Sequence, residues 1–496
     1  MKRILCLLLM ALLLAGTAQA EAMTMMGYDE TNGRDWSQSK FFTRMAERTG
    51  VSFELRQYTE REEYEKALQN LKADMPDVLF RATLTPAQER DLLDDGTLID
   101  LAPLLSSNAP NLSALLEQNP KWREEITLPD GRIAALPMLT EKERQVGLWI
   151  NSKWLAKLGV AVPTTPEELK AALIAIRDGD PNGNGKADEV GLDVTGVWAM
   201  KWLLPLFGVN ADDYNLTTVD GQIVFAPTLD AYRDFVGYLR DLYAEGLLRK
   251  DAFTGLNTVQ ALEASSSSSS QSANTTVTSG CVVTLAPYAS VGIDANMDYE
   301  VIVPATGVWR DMIGPVARGA FAITSACEDP AAALRWVDAL YTEEGGILAA
   351  AGVEGEDYVT GEAGWTWKVD TYTTIDMLNA QSLMATSGAI PTPGLTPYDF
   401  LGEVDSDVDR YNRAQSERLQ SFATMPVERC YLTREQEEEV EALQLRLGEA
   451  VDLAIGRFAT GEVELTDESY GAFVESVRSD GERLAAIFTQ ALQAGR

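Results

Sequence analysis

Stretches with strand-like and helix-like spacing of hydrophobic positions alternate along the chain. "VSFELRQY" at 51–58 alternates apolar and polar residues as a half-buried strand does, and "REEYEKALQNLKADM" at 61–75 has the period of a helix. The apolar run "PDVLF" at 76–80 follows directly and completes a β-α-β unit. Because this alternation continues along the chain, the pattern predicts an α/β fold with mostly parallel sheets.

Two predicted helices have well-marked ends. Thr165 can cap the first, and Glu168, three residues later, is placed to complete a capping box. Thr433 and Gln436 have the same spacing at the start of a long C-terminal helix, which Gly461 ends. The apolar positions that share one face are Leu169, Leu173 and Ile176 in the first helix and Val440, Leu443, Leu447, Val451, Ala454 and Phe458 in the second.

The charge balance and the lack of histidine exclude several classes of function. The 496-residue chain has 75 acidic and 41 basic residues, a formal net charge of -34, which repels nucleic-acid backbones and anionic lipid surfaces. No nucleic-acid partner is expected. Without histidine, the chain cannot build a Ser-His-Asp or Cys-His catalytic site, a His-ligated zinc site or a His-bound haem.

The first 20 residues have the pattern of a secretory signal peptide. Lys2 and Arg3 precede an apolar run at 4–15, and the triplet "AQA" at 18–20 provides a cleavage site. The run is too short to span a bilayer. Thr17 rather than cysteine follows "LAG", which is not the lipoprotein pattern. We expect a soluble exported protein, extracellular, at the cell surface or periplasmic, from which residues 1–20 are removed.

Three cysteines remain after removal of the signal peptide. Their number is odd and they lie far apart, which is not the pattern of a disulfide framework. The simplest interpretation is that they are small buried apolar residues. They are Cys281, Cys327 and Cys430.

A loop rich in oxygen donors, "RDGDPNGNGKADEVGL" at 177–192, has the spacing of a calcium-binding loop. Side-chain oxygens recur at alternate positions, and Gly185 occupies the position of the sharp turn. Gly191 stands where an EF-hand has its last carboxylate, so Glu189 or an outside residue such as Asp178 has to substitute. The candidate ligands of a structural calcium ion are Asp180, Asn182, Asn184, Lys186 through its carbonyl, Asp188 and Glu189. The alternative is an Asx-rich turn that needs no metal.

The segment "GLWINSKWLAKLGVAVPTTPEELKAAL" at 147–173 resembles the signature region of the extracellular solute-binding proteins of ABC importers. Four further segments match that family in the same order, at 131–137, 320–346, 352–359 and 458–481. The last two, together with the calcium-type loop, resemble its oligosaccharide-binding branch, the LipO type. The resemblance covers nearly the whole chain that follows the signal peptide.

This resemblance implies two α/β lobes joined by crossing strands, with a ligand cleft between them. The crossings are expected near Pro137, at 320–324 and at 388–391. The first lobe is then formed by 21–136 and 322–390, and the second by 137–321 and 391–496. Closure of the lobes buries the ligand, and the transmembrane subunits of an ABC permease recognise the closed form. The family also implies a monomer and no covalent chemistry.

Aromatic residues are the first candidates for contact with a sugar, because its C–H face stacks on a ring. Trp198 and Trp202 lie in the segment that corresponds to the cleft wall of the family, although both can equally point into the core. Tyr288 follows a strand, where the family places a cleft aromatic. Trp365 and Trp367 alternate in "GWTWKV" and are expected to pack on a strand face.

Polar candidates come from the first lobe. Asp35 and Trp36 match the loop after the opening strand of the family, with an ordinary surface turn as the alternative. Arg81 and Glu141 stand where relatives present polar or aromatic contacts. Arg81 replaces a frequent aromatic residue and can grip an acidic group with two hydrogen bonds.

Two other functions stay open on sequence alone. A secreted glycosidase needs only a pair of carboxylates, and this acidic chain offers many. A receptor for peptides or other polar solutes can share the same fold, because fold does not fix the ligand.

Overall fold

The computed structural model describes residues 23–29, 35–140, 145–249, 251–253, 277–311, 314–361, 364–368, 390–397, 400 and 407–494. Within these ranges the strands are β1 (Met23–Tyr28), β2 (Phe53–Tyr58), β3 (Val78–Phe80), β4 (Leu136–Thr140), β5 (Gly147–Asn151), β6 (Val190–Leu192), β7 (Leu216–Val219), β8 (Gln222–Phe225), β9 (Ser279–Thr284), β10 (Tyr299–Val301), β11 (Trp309–Arg310), β12 (Val316–Ile323), β13 (Tyr358–Gly361), β14 (Gly364–Trp367), β15 (Gly394–Thr396) and β16 (Ala423–Thr424).

The α-helices of the same ranges begin and end as follows: α1 (Lys40–Thr49), α2 (Arg61–Gln69), α3 (Pro86–Asp94), α4 (Leu105–Asn108), α5 (Pro110–Gln118), α6 (Pro120–Ile126), α7 (Ser152–Leu158), α8 (Pro166–Gly179), α9 (Val197–Met200), α10 (Asp230–Ala244), α11 (Tyr288–Val291), α12 (Pro330–Asp338), α13 (Glu343–Ala350), α14 (Asp407–Gln420), α15 (Arg434–Thr460) and α16 (Asp467–Ala494). Short 3-10 turns include Trp36–Gln38 and Lys201–Phe207.

The larger sheet has the strand order β15-β4-β12-β3-β1-β2. β1 pairs in parallel with β2 and β3, β4 pairs in parallel with β15, and β12 runs antiparallel to β3 and β4. The three residues of β3 are fully buried, as expected for a strand covered on both faces. The predicted β-α-β unit is therefore confirmed as β2, α2 and β3.

Two of the predicted crossing points lie in neighbouring strands of this sheet. Pro137 is in β4, and Ala320 to Ile323 is the end of β12. Residues 388 and 389 of the third lie outside the described residues. The boundaries between the two predicted lobes stay a prediction.

The smaller sheet has the order β10-β5-β9-β6. β5 runs antiparallel to β9 and β10, and β6 is parallel to β9. Its core is continuous with the apolar faces of α10, α15 and α16, whereas separate core clusters cover the two faces of the larger sheet. The described residues thus form one core cluster around the smaller sheet and one on each face of the larger sheet.

Both predicted helix starts are present. The Thr165 hydroxyl accepts from the Glu168 N–H at 3.2 Å, but the Glu168 carboxylate accepts from the N–H of Thr164, one residue before the expected partner. At the start of α15 the capping box between Thr433 and Gln436 is complete. α15 ends at Gly461, whose left-handed conformation (φ 77°) suits glycine.

The cysteines of the described chain are free thiols. Cys281 is buried, whereas Cys327 and Cys430 are half-buried. Burial raises the pKa of Cys327 and of Cys430 to about 11, so both are protonated near neutral pH. None of the helices in the described ranges is both long enough and apolar enough to cross a membrane.

Candidate ligand-binding and calcium sites

Two buried side chains meet at the edge of the larger sheet where β1 and β3 end. Asp29 directly follows β1, and its Oδ2 accepts from the Trp36 Nε1–H at 3.0 Å. Trp36 is 1% exposed and packs on Phe80 at the end of β3, with ring centroids 5.6 Å apart. Carboxyl ends of parallel strands are where ligands bind in open α/β sheets, so this edge is the first candidate site.

Arg81 lies at the same edge, in a strained turn. Its φ is 52° and that of Thr83 is 50°, conformations that cost free energy for residues other than glycine. β12 approaches this turn so closely that only glycine fits at position 319, because a Cβ atom on Gly319 would lie 2.2 Å from the carbonyl oxygen of Leu84. The Arg81 guanidinium is buried, 3.9 Å from the Asp29 carboxylate.

Asp35 is half-buried and holds the short turn that follows it. Its carboxylate accepts from the N–H and the hydroxyl of Ser37, at 2.9 and 2.7 Å, and from the side chain of Gln38. The Ser37 hydrogen bond is the main reason why the pKa of Asp35 is lowered. The predicted residues Asp35, Trp36 and Arg81 are thus brought together at one edge. Glu141, the fourth candidate of this lobe, lies outside the described residues.

Three further residues lie at this edge and were not predicted from the sequence as ligand contacts. The Tyr28 and Tyr64 rings are stacked with centroids 5.6 Å apart, and the exposed Arg61 guanidinium lies 5.1 Å from the Tyr28 ring centre. Tyr28 is at the end of β1 and Arg61 is at the start of α2. Their spacing along the chain is that of ordinary strand and helix residues. Only the folded structure shows that the end of β1 lies beside the start of α2.

Trp198 and Trp202 contact each other in the core of the smaller sheet. Their rings form an edge-to-face pair with centroids 5.9 Å apart. Trp198 is half-buried and donates from Nε1 to Asp213 at 3.1 Å. Trp202 is 1% exposed and is covered by Trp309 and by the Arg310 guanidinium. Trp198 is therefore the more accessible of the two rings.

Tyr288 is the exposed aromatic among the predicted residues. It follows β9 and is 41% exposed. Leu285, Ile293 and Met297 of the neighbouring turns are 45%, 57% and 52% exposed. These exposed apolar side chains follow β9 in the chain, and the ring of Tyr288 suits contact with a sugar face.

Trp365 packs as the sequence predicted for a strand residue. It is 4% exposed on β14 and stacks on Phe400 with centroids 5.0 Å apart. The side chain of Trp367 lies outside the described residues.

The calcium-type loop is folded by hydrogen bonds from its own backbone N–H groups to its side-chain oxygens. Asp180 ends α8 in a left-handed conformation (φ 45°), and its carboxylate accepts from the N–H groups of Asn184 at 3.1 Å and Gly185 at 3.0 Å. Gly185 is also left-handed, with φ 74°. The Asn184 amide donates to both carboxylate oxygens of Asp188. Lys186 donates its N–H to the Asn184 side chain at 2.8 Å, which turns the loop around this point.

Glu189 is the strongest sign that the loop holds a cation. Both of its carboxylate oxygens are buried and have no hydrogen-bond partner in the described chain. An unpaired buried carboxylate is costly, and a bound cation is the partner that removes this cost. Asp178 does not offer the same group, because its carboxylate is paired with Arg177 at 2.7 Å. Glu189 is therefore the carboxylate of this loop that is available to a calcium ion.

The ligand set depends on oxygens other than carboxylates. Among the described residues, no group of three or more acidic or cysteine side chains is placed to hold a metal ion. Asn182, Asn184 and a backbone carbonyl would have to complete the coordination, which is usual for calcium.

Comparison with known proteins gives relatives of one class. No family model matches the chain. The fructooligosaccharide ABC transporter substrate-binding protein FusA of Streptococcus pneumoniae is 30% identical over 232 residues, 44% of this chain and 43% of the relative. Lipoprotein LipO of Bacillus subtilis is 29% identical over 112 residues, 21% of each chain. The chain matches less than half the length of these curated relatives.

Solved structures extend the likeness to almost the entire chain. A solute-binding protein associated with an ABC transporter that binds HMO, from Bifidobacterium longum infantis, superposes with a TM-score of 0.76 over 96% of this chain and 99% of its own, at 21% identity. The EF-hand mutant of FusA in complex with fructo-nystose gives 0.68 over 96% and 100%, at 20% identity. The chain has the two-lobe α/β fold of solute-binding proteins, which confirms the fold expected from the sequence. The relative FusA is a substrate-binding protein of an ABC transporter, in agreement with the family resemblance of the sequence.

Proposed function

We propose that this protein is the extracytoplasmic receptor of an ABC transporter, which captures an oligosaccharide by closure of its lobes and delivers it to a membrane permease. The observation that supports this most is the match to FusA, which combines 30% identity with a shared fold. FusA has been crystallised with kestose, a short fructooligosaccharide. The solute-binding fold places the ligand between two lobes, where lobe closure can exclude water.

In this proposal the polar groups of the first lobe and the accessible aromatic side chains of the second lobe contact different parts of the sugar. Asp35, Arg81 and Glu141 provide hydrogen bonds to sugar hydroxyls or to an acidic sugar. Trp198 and Tyr288 offer ring faces to the C–H surface of the sugar. None of these roles requires a bond in the ligand to break. The protein is proposed to act as a monomer outside the cytoplasm, with residues 1–20, which lie outside the described range, as its export signal.

We expect calorimetry with the purified chain to show binding to at least one member of a panel of kestose, fructo-nystose, milk oligosaccharides, alginate oligomers and peptides. Trp198→Ala and Tyr288→Ala should each weaken binding by about 1–3 kcal/mol, the range for buried aromatic contacts. Leu453→Ala is the matched control, because Leu453 is 63% exposed on α15. A peptide as the tightest ligand, or release of cleaved sugar, would contradict the proposal.

We further propose that the 180–189 loop binds one structural calcium ion, through Asp180, Asn182, Asn184, the Lys186 carbonyl, Asp188 and Glu189. The buried carboxylate of Glu189 supports this proposal. The EF-hand named in the FusA mutant structure is a further indication from a relative. The ion would hold the end of α8 against the strand that follows, β6.

Chelation of calcium with EDTA should lower the melting temperature. At free calcium 100 times the dissociation constant, loss of the ion removes about 2.7 kcal/mol of stability. Glu189→Gln should melt at nearly the same temperature with and without EDTA, because it removes one ligand and the buried charge together. Asp178→Asn is the matched control, since its carboxylate pairs with Arg177, and it should keep the full response to EDTA. Equal melting of the native chain with and without EDTA would discard the ion.

A further inference from the structure

Two adjoining cavities lie between elements that pack on the larger sheet and elements that pack on the smaller sheet. The larger cavity has a volume of 460 Å³. It is lined by α6, which packs on the larger sheet, and by the end of α16, which packs on the smaller sheet. The smaller has a volume of 220 Å³. Both share lining residues in the segments around Asp311 and at 425–430, so they form one chamber. Of the predicted ligand contacts that the structure describes, none lines either cavity.

Arg310 is a buried cation in the wall of the smaller cavity. Its side chain is 5% exposed, and its guanidinium lies 5.1 Å from the centre of the Trp202 ring. Nη2 donates to the Asp213 carboxylate at 2.8 Å. Nε and Nη1 are buried and have no acceptor in the described chain. A stacked guanidinium with its edge donors unused is the usual arrangement for binding a carboxylate or a phosphate.

Arg318 lines the same cavity, forms a hydrogen bond with the Tyr431 side chain, and has Glu89 and Glu125 as its electrostatic neighbours. Its guanidinium lies 4.6 Å from the centre of the Tyr431 ring, and Nη1 is buried without an acceptor. Within the described ranges, no carboxylate lies within 4.0 Å of it. In a chain with 75 acidic and 41 basic residues, an arginine with no carboxylate in direct contact is unexpected. Its position is explained if its partner is a bound anion.

Of the acidic groups near this chamber, Asp213, Asp311 and Glu428 line the smaller cavity, and Asp213 is paired with Arg310. Three others are weakened by burial. Glu89 and Glu125 both interact electrostatically with Arg318, but burial raises the pKa of each, that of Glu89 to about 7. Burial also raises the pKa of Asp212, in the wall of the smaller cavity, to about 7. Near neutral pH these groups carry less negative charge than a count of residues indicates.

We propose that this chamber is a second ligand site, which binds a small oxyanion, a carboxylate or a phosphate, between Arg310 and Arg318. The anion fills the smaller cavity, where the unused N–H donors lie. Any organic portion occupies the larger cavity, which offers the half-buried Trp122 ring together with Met425 and Leu492. The site is distinct from the sheet edge that holds Asp35, Trp36 and Arg81.

The location of the chamber couples it to movement of the lobes. Arg318 belongs to β12 of the larger sheet, whereas Arg310 packs on Trp202 in the core of the smaller sheet. An anion held by both arginines therefore links the two cores. Its binding resists any rotation that separates these two side chains, and so changes the free energy of lobe closure.

The test is a titration of the full purified chain with inorganic phosphate and, separately, with citrate. Intrinsic tryptophan fluorescence is the readout, because Trp122 lines the chamber and Trp202 lies under Arg310. Sodium chloride keeps the ionic strength constant. We expect a saturable change with at least one of the two anions, and saturation with only one identifies whether phosphate or carboxylate is preferred.

Two variants test the assignment. Arg318→Gln should weaken anion binding about tenfold or more, since it removes a charge-assisted hydrogen bond. Arg318→Lys keeps the charge but loses the two-pronged geometry, and it should bind with intermediate affinity. Arg446→Gln is the control, because Arg446 lies on the surface of α15 and pairs with Asp480. It should bind as the native chain does.

A response no larger than that to chloride, or native affinity in both Arg318 variants, would overturn the second site. If Arg318→Gln does not fold, the lysine variant and the chloride comparison still decide the outcome. The titration contains no sugar, so its failure would leave the proposed oligosaccharide receptor untouched. For the converse, Tyr288→Ala is the variant to use, because Trp198 bonds to Asp213, the partner of Arg310.

Discussion

Trp202→Ala should lower the free energy of unfolding by about 3–5 kcal/mol, as is usual when a buried tryptophan is truncated. The indole is 1% exposed and packs between Trp198 and Trp309. Its removal leaves a cavity and also takes away the ring on which the buried guanidinium of Arg310 rests. Urea denaturation followed by circular dichroism measures this loss.

Trp198→Ala is the matched comparison for this prediction. Trp198 is half-buried and makes one hydrogen bond to the exposed Asp213. The variant should lose clearly less stability than Trp202→Ala, while it should lose more of the affinity for sugar. The opposite ranking, with Trp202→Ala stable but unable to bind sugar, would show that Trp202 is a direct ligand contact.

Arg81→Met should destabilise the fold by about 3–5 kcal/mol, the range for removing one partner of a buried ion pair. Arg81 is 2% exposed and Asp29 is 0% exposed, and the substitution leaves the Asp29 carboxylate buried without its cation. The left-handed backbone at this position does not contribute to the difference, because methionine and arginine are equally strained at φ 52°.

A second substitution separates loss of charge pairing from loss of packing. Asp29→Asn added to Arg81→Met removes the uncompensated charge, and an amide oxygen can still accept from Trp36. The double variant should regain a measurable part of the lost stability in urea denaturation. If the double variant is less stable than Arg81→Met, the ion pair is not the reason for the burial of Arg81.

The sequence predicted those parts of the fold that depend on local patterns. The period of the apolar positions and the capping residues placed α8 and α15, and Gly461 marked the end of α15. The alternate oxygen donors located the calcium-type loop, because its geometry depends on neighbours within ten residues. Family resemblance supplied the two-lobe fold, which local pattern alone does not fix.

Burial and distant contacts were not predictable in the same way. Trp198 and Trp202 have the same residue type four positions apart, yet one is half-buried and the other is fully covered. The difference arises from Trp309 and Arg310, which arrive from a strand more than 100 positions later in the chain. The chamber formed by the two cavities has the same origin, since its walls come from five separate regions of the sequence.

The beginning of α15 gives the molecule a long mechanical link. Tyr431, just before the helix, bonds to Glu89, and Glu437 in its first turn pairs with Arg90, both residues of α3. The helix then continues for 27 residues, roughly 40 Å at 1.5 Å per residue. Near its other end Asp452 pairs with Lys201. Because α15 is one continuous helix, a tilt of α3 should displace the part of α15 that pairs with Lys201. A spectroscopic label placed beyond Asp452 should therefore report movement of α3.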